Sequence, residues 1–179
     1  MPNRRQRVLV ETAQRLIRRG ATANIQKILR KTHPADIAAI FPVLVERDQR
    51  NLFDLLDDDK VRGDVLGELQ PEQYVPLLQS LEPAAAIAVM RDMSADDVAD
   101  ILGNLPDELS DTLLAGMEDD HSEEVEDLLR YGDDTAGGIM VPEFIALPED
   151  TTAEAAIQAL REAKDVEMAF YVYVTNDTE

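Results

Sequence analysis

The chain contains no cysteine, which excludes disulfides, thiolate metal sites and cysteine nucleophiles. It also lacks tryptophan, and aromatic residues make up only 4% of it, so a core must come from the Leu, Ile, Val, Ala and Met within its 45% hydrophobic residues. That mixture suits helices better than a large sheet. No apolar run approaches the ~20 residues that a membrane span requires. The start, Met1-Pro-Asn-Arg-Arg5, leads into an amphipathic stretch without an apolar signal region, so the expectation is a soluble, cytoplasmic piece. Basic residues are scarce beyond residue 31. Residues 1–31 hold nine Lys or Arg and one acid, Glu11, whereas the other 148 residues hold 8 bases and 36 acids. From Gly63 to Leu129 there are 18 Asp or Glu and one Arg, Arg91. Nucleic-acid phosphates repel such a surface, which argues against DNA or RNA as partners and for cations or basic surfaces.

What the chain does have is a repeat. Leu69, Leu81, Met93, Leu105, Met117 and Leu129 fall twelve residues apart. Three positions before each stand Leu66, Leu78, Met90, Leu102 and Leu114, a series that fails at Glu126. Four positions before stand Val65, Leu77, Val89, Ile101, Leu113 and Val125. Apolar residues separated by three and four form one face of a helix. Pro71, Pro83 and Pro106 mark helix starts, and Ser94 is placed to cap the helix after it. Each step is thus a short helix and a tight turn, too short to be stable alone, and stacking buries its apolar face as in a solenoid. Pro34–Phe41 and Asn51–Leu56 read as further helices in looser register, and Gln6–Arg19 and Ala23–Lys31 as two basic amphipathic helices broken at Gly20. The fold expected is mainly α: an acidic helical domain over residues 1–131, in which a basic N-terminal leader precedes a right-handed superhelical solenoid of short helices over residues 32–131.

The periodicity stops at Tyr131. Gly132-Asp-Asp-Thr-Ala-Gly-Gly138 is rich in turn formers, and residues 132–142 read as a linker. Beyond it, Glu143–Leu147 suits a strand, Thr151-Thr-Ala-Glu154 a capping box opening a helix with Ile157, Leu160 and Ala163 on its apolar side, and Ala169–Val174 a second strand. Residues 143–179 therefore read as the start of a βαβ unit.

No catalytic constellation emerges, and a non-enzyme is expected. His33 and His121 lie in different segments and read as structural or incidental. Gly137-Gly138 lacks the residues of a phosphate loop and reads as a turn. The acids of Asp92-Met-Ser-Ala-Asp96-Asp97-Val-Ala-Asp100 are more suggestive. Asp92, Asp96 and Asp100 align on one face if the helix begins early enough, and like charges at that spacing repel mildly. A hard cation such as Mg2+ prefers carboxylate oxygens and keeps several waters, so one or two ligands suffice. On the residues alone, a solvated acidic face remains the alternative.

Arg130-Tyr-Gly-Asp-Asp-Thr-Ala-Gly-Gly-Ile-Met140, followed by Pro142-Glu143-Phe-Ile-Ala-Leu-Pro148, closely resembles the junction in MgtE-type magnesium transporters between an acidic helical N domain and a pair of CBS domains. His33-Pro-Ala-Asp36 and Ser94–Leu102 are similar to N-domain helices of that family. The resemblance spans about 30–179. It implies that residues 143–179 are an incomplete first CBS domain, whose remaining CBS and transmembrane partners lie elsewhere in a homodimeric protein, with this region on the cytoplasmic side of the cell membrane. It further implies a feedback gate, in which Mg2+ bound between acidic N-domain and CBS surfaces neutralises their repulsion and closes the pore. The D-D-x-x-D helix of the family maps its ligands onto Asp96 and Asp100, and an acid in the preceding segment onto Asp64. Asp92 and Asp97 acquire no ligand role. Two rival readings are an α-solenoid scaffold that recruits a basic protein partner, and a CBS domain that senses an adenine nucleotide.

Overall fold

The computed structural model describes residues 4–132, 135–140, 144–163 and 171–176, and the chain divides into two compact units, Met1–Arg130 and Tyr131–Glu179. The first unit is helical throughout. Its elements are α1 (Arg4–Arg18), α2 (Thr22–Leu29), α3 (Pro34–Ala38), a 3-10 turn at Phe41–Val43, α4 (Glu46–Asp54), α5 (Asp59–Gly67), α6 (Pro71–Ser80), α7 (Pro83–Met90), α8 (Ala95–Gly103), α9 (Asp107–Leu114) and α10 (Asp119–Leu129). None of α2–α10 exceeds 11 residues, so tertiary packing must hold them. That packing skips one helix at a time. α3 lies on α5, α5 on α7 and α7 on α9, while α4 lies on α6 and α8 on α10. Two interleaved rows result, one running through α3, α5, α7 and α9 and the other pairing α4 with α6 and α8 with α10, which is the predicted solenoid logic.

The apolar register explains why. Val65, Leu77, Val89, Ile101, Leu113 and Val125 are all buried, and so are Leu66, Leu78, Met90 and Leu102. Leu69 and Leu105 are buried too, but Leu81, Met93, Met117 and Leu129 are only partly covered. Residues 69, 81, 93, 105 and 117 lie past the helix ends, in the turns. Phe41, Phe53, Ile37, Ile40 and Leu52 complete the core at its N-terminal end.

The helix starts follow the expected chemistry with four differences. Pro71 and Pro83 occupy the first turns of α6 and α7, where a missing N–H costs nothing. Pro106 instead precedes α9 as its N-cap. Ser94 is the N-cap of α8 but its hydroxyl makes no backbone cap. Glu46–Asp54 forms the helix expected at Asn51–Leu56, and the Pro34–Phe41 segment is split into α3 and the 3-10 turn. Gly20 separates α1 from α2 at φ +64°, a left-handed conformation that suits glycine.

In the second unit, β1 (Ile145–Pro148) and β2 (Val172–Thr175) pair in parallel, Ile145 opposite Val172 and Pro148 opposite Thr175. The connection contains α11 (Ala153–Glu162), so the βαβ expectation holds over the described residues. Glu143, Ala169 and Phe170 of the expected strands lie outside them. The capping box does not form in the expected register: Thr152, not Thr151, caps α11, accepting from the Ala155 N–H at 3.3 Å. Ile157, Leu160 and all four residues of β2 are exposed in this unit.

Candidate functional site

The acids singled out by the sequence lie on α5 and α8. Five residues of α8 (Ala95, Val98, Ala99, Ile101 and Leu102) are buried, which forces Asp96, Asp97 and Asp100 to the opposite side. Asp96 and Asp100 stand one turn apart on one stripe. Asp92 does not extend that stripe, because α8 begins only at Ala95 and Asp92 falls in the turn after α7. Asp64 is exposed on α5, next to the buried Gly63. Among the described residues, no three His, Asp or Glu side chains converge into a ready cation cage. Asp64, Asp96 and Asp100 are therefore not gathered at one centre within this chain.

Their surroundings still differ from a solvated acidic face. One carboxylate oxygen of Asp96, Oδ1, is shielded from solvent and meets no hydrogen-bond donor among the described residues. Asp100 is exposed and lies near Tyr74 of α6. Burial pushes the Tyr74 hydroxyl up from its ordinary value of 10.0, and the Asp100 charge adds to that, while a hydrogen bond from the Asn104 side chain acts the other way. Asn104 also donates to the Asp100 carbonyl at 2.8 Å, tying the end of α8 down beside this tyrosine.

The residue that sequence reasoning passed over is Asp97. Its Oδ2 lies 3.7 Å from where a Cβ on Gly67 of α5 would stand. Burial pushes its carboxyl above the ordinary 3.8; the Ser94 hydroxyl, hydrogen-bonded to it, opposes the shift, and the charge of Asp96 reinforces it. Nothing in the local sequence signals this, since the burial comes from α5, about thirty residues away in the chain.

A raised folded-state value makes the ionised Asp97 a destabilising group at neutral pH. Below the ordinary value both states are protonated and the penalty vanishes. As pH rises through the window between the ordinary and the raised value, the folded state holds on to more protons and stability falls. Asp97→Asn is expected to raise the urea midpoint at pH 7, with the gain shrinking as pH is lowered towards 3.8. A gain of equal size at pH 7 and at acid pH would show that the effect is not electrostatic.

Of the two histidines, His33 has a structural place. His33 is the N-cap of α3, its Nδ1 accepting from the Ala35 N–H at 3.3 Å. His121 lies on α10, its Nε2 buried without a hydrogen-bond partner among the described residues. Around Gly137-Gly138 the chain turns: Thr135 donates its hydroxyl to the Gly132 carbonyl at 2.8 Å, and the Gly138 N–H donates to that hydroxyl at 3.1 Å. Gly137 sits against the Tyr131 ring, where an added Cβ would be 2.4 Å from ring carbons.

Residues 32–134 match the family model of the MgtE intracellular N domain. The chain belongs to the MgtE N-domain family. Across its length it is similar to the magnesium transporter MgtE of Thermus thermophilus, with 32% identity over 94% of this chain and 38% of that protein. It is similar to the Bacillus subtilis magnesium transporter MgtE at 28% identity, over 92% of this chain and 36% of that one. The chain thus spans little more than a third of the curated relatives it matches. Among solved structures, it resembles the cytosolic domain of the Mg2+ channel MgtE in complex with ATP (TM-score 0.83, 30% identity, 94% of this chain and 69% of that one). The soluble part of a magnesium transporter shares the fold at TM-score 0.81 and 22% identity, over 96% of this chain and 68% of that one. No helix among the described residues is long and apolar enough to cross a membrane.

Proposed function

We propose that this MgtE N domain and the βαβ unit after it are the cytosolic, magnesium-sensing region of a magnesium transporter or channel. Residues 143–179 are read as the beginning of its first CBS domain, and 132–142 as the linker. The observation that carries the reading at residue level is the outward stripe of α8, on which Asp96 and the exposed Asp100 stand one turn apart, opposite the buried Ala95, Val98, Ala99, Ile101 and Leu102. A hydrated Mg2+ needs only one or two protein oxygens, so Asp96 and Asp100 of α8, with Asp64 of α5, fit half of a site that a second acidic surface completes. Bound Mg2+ supplies the positive charge that offsets the repulsion between the two surfaces. Without it, the carboxylates of α5 and α8 hold the N domain away from its CBS partner, in a dimeric protein whose pore lies in the membrane. The two arrangements form an equilibrium that Mg2+ shifts by its differential affinity.

A second ligand has its own support, because a similar cytosolic domain was solved in complex with ATP. Calorimetry on a chain extended through the second CBS domain separates the readings. Mg2+ is expected to bind without nucleotide at millimolar concentrations. Heat from ATP alone, with none from Mg2+, would favour nucleotide sensing; heat from neither would leave a protein-recruiting scaffold as the better reading.

A further inference from the structure

The acidic stack has one basic end, which the magnesium reading leaves unused. In α1, Arg4, Arg7, Glu11, Arg15 and Arg18 recur at intervals of three, four, four and three, which places them on a single stripe. Arg7, Glu11, Arg15 and Arg18 are exposed, as is Arg19 beside them. Ala13 is buried on the opposite side, with Leu9, Leu16 and Ile17 packed against the core. Arg7, Arg15, Arg18 and Arg19 form no ion pair among the described residues, although Arg30, Arg47, Arg50, Arg62 and Arg130 all do. Arg7 and Arg15 are each four residues from Glu11, yet neither pairs with it. Exposed apolar side chains adjoin the stripe. Val8 is 57% exposed on α1 itself, and Val43, 48% exposed, is attached to α1 through the Gln14 side chain, which donates to its carbonyl at 2.9 Å. Val45, two residues on, is 65% exposed.

We propose that this arginine face of α1, bordered by Val8, Val43 and Val45, rests on an anionic lipid surface. Charge complementarity selects the occupant. Clustered Lys and Arg on an amphipathic helix are attracted to anionic headgroups by about a decade of affinity for every one or two residues near the surface, and exposed valines at the rim suit the headgroup boundary. Asp36 and Glu46 lie near this end, but most of the acids of the stack are too distant to cancel the attraction. From α3 to α9 the helices are stacked through α5 and α7, at about 8–10 Å per step, so the acids of α9 and α10 stand some 25 Å or more from the basic end. Charges that far apart are screened over a Debye length of about 8 Å. A second copy of the chain is a weaker candidate for a symmetric contact, because the arginines of α1 would then face one another.

The test is flotation of the 179-residue chain with vesicles of phosphatidylglycerol and phosphatidylcholine, against phosphatidylcholine alone. Binding is expected only to the anionic vesicles, falling steeply with added salt. Arg7→Gln/Arg15→Gln/Arg18→Gln, all at exposed positions, should lower the partition coefficient about 100-fold while leaving the far-UV circular dichroism and thermal midpoint unchanged. No binding to anionic vesicles at low salt overturns the proposal, and so does equal binding by the triple variant. Salt-sensitive self-association without vesicles, abolished by the same substitutions, overturns it in favour of a second copy.

Discussion

Leu102→Ala is expected to destabilise the helical unit by about 2–5 kcal/mol, the range for truncating a large buried aliphatic side chain. Leu102 is 1% exposed on α8, the helix that packs against α10, so the void opens between two helices of one row and cannot be filled by solvent. The expected readout is a large fall in the urea midpoint with an unchanged slope. Leu160→Ala supplies the contrast. Leu160 is 38% exposed on α11, so its truncation should lower stability by about 1 kcal/mol or less. Comparable losses in the two variants would contradict the twelve-residue register as the source of the core.

Gly63→Ala is expected to cost about 1–3 kcal/mol, against the usual direction for a helix interior. Glycine in a helix is ordinarily less favourable than alanine by roughly 0.5–1 kcal/mol. Here the added Cβ would stand 2.7 Å from the Val89 carbonyl oxygen and 3.1 Å from Cγ of Met93. The carbonyl belongs to α7 and cannot turn aside without disturbing that helix, so α5 and α7 must separate. Gly67→Ala is the matched control: its Cβ would meet only Oδ2 of Asp97 at 3.7 Å and Cε of Met93 at 3.8 Å, ordinary contact distances. Its stability should stay within about 0.5 kcal/mol of the parent or rise. A stabilised Gly63→Ala variant would show that the α5–α7 approach is looser than the structure has it.

The fold was legible wherever the signal was periodic. The Val65–Val125 series predicts which side of each helix is covered, because burial of a short amphipathic helix depends mainly on its own stripe. The register even survives Pro76, which lies inside α6 where proline ordinarily breaks a helix. Boundaries were less legible. The expected start of α4 at Asn51 missed its first turn, since Glu46-Arg-Asp-Gln-Arg50 carries no apolar stripe and is held by contacts the local sequence does not show. One of these is Gln49, buried, whose side chain donates to the Phe41 carbonyl at 2.9 Å.

The candidate site divides the same way. The one-turn spacing of Asp96 and Asp100 is a property of the helix and was readable, whereas Asp92 dropped out because α8 starts at Ala95. The burial of Asp97 against α5 and the approach of Tyr74 to Asp100 arise between helices distant in sequence. Four-residue spacing carries no trace of either.

The most direct measurement is Mg2+-dependent protection of residues 132–138 from proteolysis, in a chain completed through the second CBS domain. The account predicts protection that rises at millimolar Mg2+ as the N domain closes on the CBS surface. With Asp96→Asn and Asp100→Asn together, side-chain size is kept and charge removed, so the half-protection concentration should rise by about tenfold or more. Some protection without Mg2+ should also appear, because part of the repulsion is gone. An unchanged half-protection concentration in the double variant would contradict Asp96 and Asp100 as sensing ligands.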